Sequence, residues 1–167
     1  MKIIDGLLAE LEQEATTTRR VLERIPQEHL SWRPHPKSMS LGQLSLHVAT
    51  VPGFVAGFAA ADVVPRPPAF VQPEAATAAE LVPALAESVA TAKRLLGSYD
   101  DAKMAETWRL QSDGRDVLAM PRVAVVRAIM LNHWYHHRGQ LLVYLRLLNL
   151  PVPSVYGPTA DENPFAA

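Results

Sequence analysis

Proline placement constrains this chain more than any other single feature. Inside a helix, proline removes one backbone hydrogen bond and crowds the preceding turn, so helices tend to lie between prolines or to start on one. Pro26 closes the first long segment, and Pro34 and Pro36 keep the next stretch irregular. Four prolines crowd residues 62–76, Pro121 stands where a helix can begin, and Pro151 stands where one should end. Four segments with helical periodicity lie between these marks.

In the first, from about Lys2 to Arg24, the residues Ile4, Leu7, Leu11, Thr18, Leu22 and Ile25 fall largely on one stripe. The second starts at Ser40, where Ser40-Leu41-Gly42-Gln43 fits a capping box, and should kink at Pro52-Gly53. A second capping box, Thr77-Ala78-Ala79-Glu80, opens the third, which runs to about Leu96 with Gly97 as a stop signal. Residues 98–120 are mixed, and Ser112-Asp113-Gly114-Arg115-Asp116 marks a turn. The fourth helix runs from Pro121 to near Asn149. Strand signals are weak, so the expected fold class is all-α, a four-helix bundle. Its connections are longer than the usual bundle loop, so simple up-down order is not implied.

At 167 residues the chain fits one domain with a real core. Sixteen basic against seventeen acidic residues give a net charge of −1, which offers no electrostatic case for nucleic acid or an anionic membrane. Cysteine is absent, so any transition metal must be held by nitrogen and oxygen. Asp5, Glu10 and Glu12 interrupt the N-terminal apolar run and argue against a signal peptide. Met39 to Ala61 carries no charged residue and is long enough to span a bilayer. Gln43, Ser45, His47, Thr50 and Pro52 within it, with no flanking basic cluster, favour a buried core helix and a cytoplasmic protein.

The chemistry concentrates in Asn132-His133-Trp134-Tyr135-His136-His137-Arg138-Gly139-Gln140-Leu141. Val126, Met130, His133, His137, Leu141, Tyr144 and Leu148 follow spacings of three and four, which predicts one inward stripe. Imidazoles one turn apart can converge on one ion, their stems about 6 Å apart. His47, in step with Leu44, Val48 and Val51, is the candidate third ligand from a facing helix. Three neutral imidazoles would leave a divalent ion with open positions, as a reactive site requires. The same spacing also suits a helix-surface pair, or core histidines bonded to backbone and water. His136 points about 100° away from His137 and stays outside the set. His-Glu-x-x-His, Glu-x-x-His, Gly-rich phosphate loops and G-x-S-x-G are all absent.

His47 within Leu44-Ser45-Leu46-His47 and the run His133-x-x-x-His137-Arg138-Gly139-Gln140-Leu141 resemble the DinB/YfiT-like family of metal-dependent proteins. Residues Trp32 to Ser40 and Pro151 to Pro158 carry the resemblance further. It implies a single helical domain over 1–167, with 152–167 an extended C-terminal tail and long crossovers between the helices. It also implies a homodimer with a three-histidine metal site opening into a pocket. The ion would be zinc or nickel, with iron or copper also suited to this ligand set. The family includes thiol S-transferases, so a low-molecular-weight thiol is an expected substrate, with hydrolysis as the other enzymatic outcome. The alternative is a non-catalytic, metal-bearing homodimer that binds a small ligand or serves a stress response. A purely structural helical dimer is a third possibility.

Residues around the motif take expected roles too. Gln43 and Gln140 are candidates for orienting the ligands, although capping explains Gln43 more simply. Gly139 would allow close helix approach, and Arg138 would pair with Asp161 or Glu162 in the tail. Trp134 and Tyr135 read as packing aromatics, and Tyr144 as a core residue whose hydroxyl needs a partner.

Overall fold

The first helix buries the stripe its sequence announces. The computed structural model describes residues 1–67, 69 and 71–166. In it α1 (Ile3–Leu22) turns Ile4, Leu7, Leu11, Thr18, Val21 and Leu22 into the core, together with Glu14. The next long helix, α2 (Leu41–Ala60), opens on the expected box: Ser40 Oγ accepts from the Gln43 backbone N–H, and Gln43 Oε1 accepts from the Ser40 N–H. By length and composition α2 could cross a membrane, and half of its apolar window is buried against the rest of the fold.

α2 runs on through Pro52 to Ala60 because its missing hydrogen bond is replaced from outside. Pro52 has no N–H for the Val48 carbonyl four residues back. The indole Nε1 of Trp134 fills that vacancy at 2.7 Å. Beside it, Ser88 Oγ accepts from the Gly53 N–H and donates to the Thr50 carbonyl. A Cβ at Gly53 would lie 2.9 Å from the Ser88 carbonyl, so only glycine lets the Ser88 backbone come this close. Ser88 belongs to α3 (Leu81–Leu96), which packs along α2 and also touches α1. A 3₁₀ turn over Ala78–Glu80 precedes α3. The capping box expected at Thr77 does not form. Thr77 makes no side-chain cap bond, and the Glu80 carboxylate accepts from Ala76 instead.

The all-α expectation is corrected by a three-stranded sheet. Its strands are β1 (Val63–Pro65), β2 (Thr107–Ser112) and β3 (Arg115–Pro121), in that order, with β1 parallel to β2 and β2 antiparallel to β3. A short α4 (Asp101–Ala105), capped by Asp100, leads into β2. The hairpin turn puts Asp113 at φ 52° and Gly114 at φ 73°. Two successive left-handed residues mark a type I′ turn, which matches strand twist, and Asp-Gly is a preferred pair for it. β1 joins by long-range parallel pairing, Val64 opposite Leu110, which no local pattern encodes.

The last helical run comprises α5 (Arg122–Ala124), a π-helical stretch over Val125–Asn132, and α6 (His133–Leu147). Within the π stretch the buried residues are Val125, Val126, Met130 and Leu131, five apart in each pair. From Leu131 the fully buried positions become Trp134, Arg138, Leu141 and Leu145, at α-helical spacing. The expected stripe through His133, His137 and Tyr144 is therefore displaced by one residue, since a π turn uses more residues than an α turn. Both histidines come to lie on the flank of the buried stripe. At the far end of α2, the fully buried Arg122 donates to the carbonyls of Ala59, Ala61 and Lys103 and pairs with Asp62. A cation there satisfies and neutralises the helix C-terminus.

Candidate metal centre

His47 lies in the second turn of α2, His133 is the first residue of α6, and His137 follows one turn later. The structure brings the three together. Nε2 of His47 is 3.0 Å from Nε2 of His133. Ring centroids stand 5.2 Å apart for His47 and His133, 4.5 Å for His47 and His137, and 4.4 Å for His133 and His137. One nitrogen from each ring falls within 4.8 Å of the other two. Two imidazole nitrogens on one tetrahedral zinc would sit roughly 3.3 Å apart, given Zn–N bonds of about 2.0–2.1 Å. The register is set next door. Trp134 follows His133, Val48 follows His47, and their hydrogen bond ties the two helices at the level of the site.

The electrostatics keep these rings neutral. Burial, reinforced by repulsion from His137 and His133, lowers the His47 pKa to about 4, while the side chain of Gln72 pulls weakly the other way. Burial also lowers the pKa of His133, with His137 and His136 adding repulsion. For His137 burial again lowers the pKa, against an opposing hydrogen bond from Gln140. Gln140 Oε1 lies 2.8 Å from His137 Nδ1. An amide oxygen only accepts, so Nδ1 carries the proton and Nε2 keeps its lone pair. Three neutral imidazoles with nitrogens this close are a donor set suited to a divalent transition ion, which would take the place of the proton shared between His47 and His133.

With that geometry in view, comparison with known proteins places the fold. The sequence pattern of the DinB family matches residues 2–164. The chain belongs to the DinB family. It is 27% identical to the uncharacterized protein YrdA of Bacillus subtilis (strain 168), over 95% of this chain and 91% of that one. A DinB-like protein from Bacillus cereus ATCC 10987 superposes with a TM-score of 0.70 at 25% identity, covering 92% of this chain and 97% of the other. A second DinB-like structure, from Bacillus subtilis, gives 0.65 at 18% identity over 94% and 98%.

Other motif residues of this DinB-family chain serve the fold. Gln43 is occupied by the cap, and its Nε2 donates to the Gln72 carbonyl at 3.2 Å. It thus stands one step back from His47, steadying the segment whose Gln72 side chain meets the ring. Arg138 does not pair with Asp161 or Glu162. It is buried against Glu14 of α1 at 2.6 Å, also donating to Thr18 Oγ1, the Glu14 carbonyl and the Tyr156 hydroxyl. Asp161 and Glu162 go to Arg146 and Arg20. Gly139 faces open space, so close packing is not its role. Tyr144 donates to the Met39 carbonyl, and His136 is exposed.

The histidines open on a cleft of about 450 Å³ walled by Met39, Val51, Phe54, Val55, Phe58, Trp108, Leu110, Leu118 and Ile129. Sequence reasoning missed the part of this wall made by Trp108, Leu110 and Leu118 because it missed the hairpin. Trp108 and Leu110 alternate along β2, and with Asp113-Gly114 just beyond they form a recognisable hairpin signal.

Proposed function

We propose that this DinB-family protein is a metal-dependent enzyme in which His47, His133 and His137 hold one divalent ion, zinc or nickel. Three imidazoles, each with a ring nitrogen within 4.8 Å of one on the other two, carry this reading. A divalent ion there supplies Lewis acidity and lowers the pKa of a thiol or water that shares it. Gln140 fixes the His137 tautomer, and the Trp134–Val48 bond holds α6 against α2. The expected reactions are thiol S-transfer or hydrolysis. A cytoplasmic homodimer completes the reading, with Val143 and Leu147, both exposed on α6, available for self-association.

One observation favours a second reading, a metal-bearing binder without turnover. Among the described residues, the cleft wall contains no Asp, Glu, Lys or Tyr to act as general acid or base beside the histidines.

Elemental analysis of tag-free protein tests the metal. About one ion per chain is expected in the wild type, and almost none in the His47→Ala/His137→Ala double variant. Equal content in both would end the proposal. Metal-loaded protein mixed with low-molecular-weight thiols and a generic electrophile then separates enzyme from binder. Accelerated conjugation supports S-transfer, and no acceleration of conjugation or of ester hydrolysis favours the binder.

A further inference from the structure

The cleft in front of the three histidines is defined by what its wall lacks. It joins a second lobe of about 330 Å³ and shares with it His47, Phe54, Phe58 and Gln72. Among the described residues, neither lobe is lined by a Lys, Arg, Asp or Glu. The polar side chains there are the three histidines, Gln72 and Thr50, and the Thr50 hydroxyl already donates to the Leu46 carbonyl. Trp108 is similar: its Nε1 donates to the Phe58 carbonyl at 2.9 Å, leaving the cleft only the apolar indole surface. Phe54 and Phe58 meet edge to face with centroids 4.6 Å apart. Away from the ion proposed above, a carboxylate entering this space would lose water and find no cation among the described wall residues, a cost of several kcal/mol by order of magnitude. A flat apolar group meets three aromatic side chains instead.

We propose that the cleft selects an uncharged, largely apolar small molecule, one or two rings in size, with a single donor group directed at the histidines, and that it discriminates against polyanionic thiols. The direction of the donor group rests on the metal site proposed above. The apolar selection rests on the wall alone.

The test uses the uncharged fluorophore N-phenyl-1-naphthylamine as probe, with metal-free and zinc-loaded full-length protein. Benzyl mercaptan and mercaptosuccinate compete for it. Leu118, on β3 and 36% exposed, places a charge in the wall when changed to Lys. The wild type should bind the probe in both forms. In the metal-free form, where no ion draws the carboxylates, benzyl mercaptan should displace it at concentrations about tenfold or more below those of mercaptosuccinate. Leu118→Lys should weaken the probe about fivefold or more and narrow the ratio between the thiols. Phe54→Gln, at the half-exposed rim, replaces it if Leu118→Lys fails to fold, and should weaken the probe similarly. Mercaptosuccinate competing as well as benzyl mercaptan, or probe affinity unmoved in a folded variant, overturns the proposal. Selective probe binding by a protein that takes up no zinc on loading would end the metal reading and leave the apolar cleft standing.

Discussion

Helix α6 carries two polar faces, and they have been treated in opposite ways. On one, Arg138 is 1% exposed, and its guanidinium meets a carboxylate, two hydroxyls and a carbonyl, with Tyr135 and Tyr156 stacked within 5.3 Å and 5.1 Å of its centre. On the other, His133 and His137 are only partly buried and each turns a nitrogen toward a third imidazole, His137 giving its other nitrogen to the Gln140 amide oxygen. A buried charge with every partner supplied is an anchor, here joining α6 to α1 and to the tail. Polar groups that meet mainly each other, at the mouth of an apolar cleft, leave bonding capacity for something else. Both faces belong to the His-Arg-Gly-Gln run, so adjacency in sequence says little about shared purpose.

The sharpest way to break this contrast is Arg138→Met. Leaving Glu14 buried without its partner should cost about 3–5 kcal/mol in urea unfolding, with metal content per folded chain unchanged. Adding Glu14→Leu should recover much of that loss, as expected when both members of a buried pair are replaced by apolar groups. A stable Arg138→Met protein that has lost its metal would reverse the roles assigned to the two faces. Gln140→Leu probes the other side. Without the acceptor at His137 Nδ1, metal affinity should fall about 10–100-fold in a chelator competition. The melting temperature of the metal-free form should hold, and an unfolded Gln140→Leu protein would make this residue a second anchor.

The neutrality of the histidine face is tested by the pH dependence of the metal-free protein. The folded pKa of His47 is about 4, against about 6.5 in an unfolded chain. Between those values the unfolded state binds more protons, so stability falls as pH is lowered from about 6.5 toward 4. His47→Gln should flatten part of that slope in urea titrations between these pH values. A slope unchanged by the substitution would mean that the ring is not held neutral by its surroundings.

Much of this was legible from local pattern, because the features involved act over one or two turns. The α1 stripe, the Ser40–Gln43 box and the helical start after Pro121 depend on neighbours three or four residues away. The candidate site was legible as well: His47, His133 and His137 were picked out by spacing and by family resemblance, and the fold brings them together. The sheet was not legible, since β1 and β2 pair across more than forty residues of intervening chain and only the Asp113-Gly114 turn signals the hairpin locally. Nor was the phase of the last helix, because helical periodicity assumes a constant turn and the π stretch breaks it.

By itself, then, the amino-acid order determined the extent of the long helices and offered His47, His133 and His137 at helical spacing, since backbone bonding and side-chain period are short-range properties. Tertiary structure alone decided that Arg138 would find Glu14, that the Trp134 indole would occupy the gap left by Pro52, and that a hairpin would wall the cleft. Each of those outcomes depends on groups distant in the chain meeting at a fixed angle, which only the packing of whole helices against one another can set.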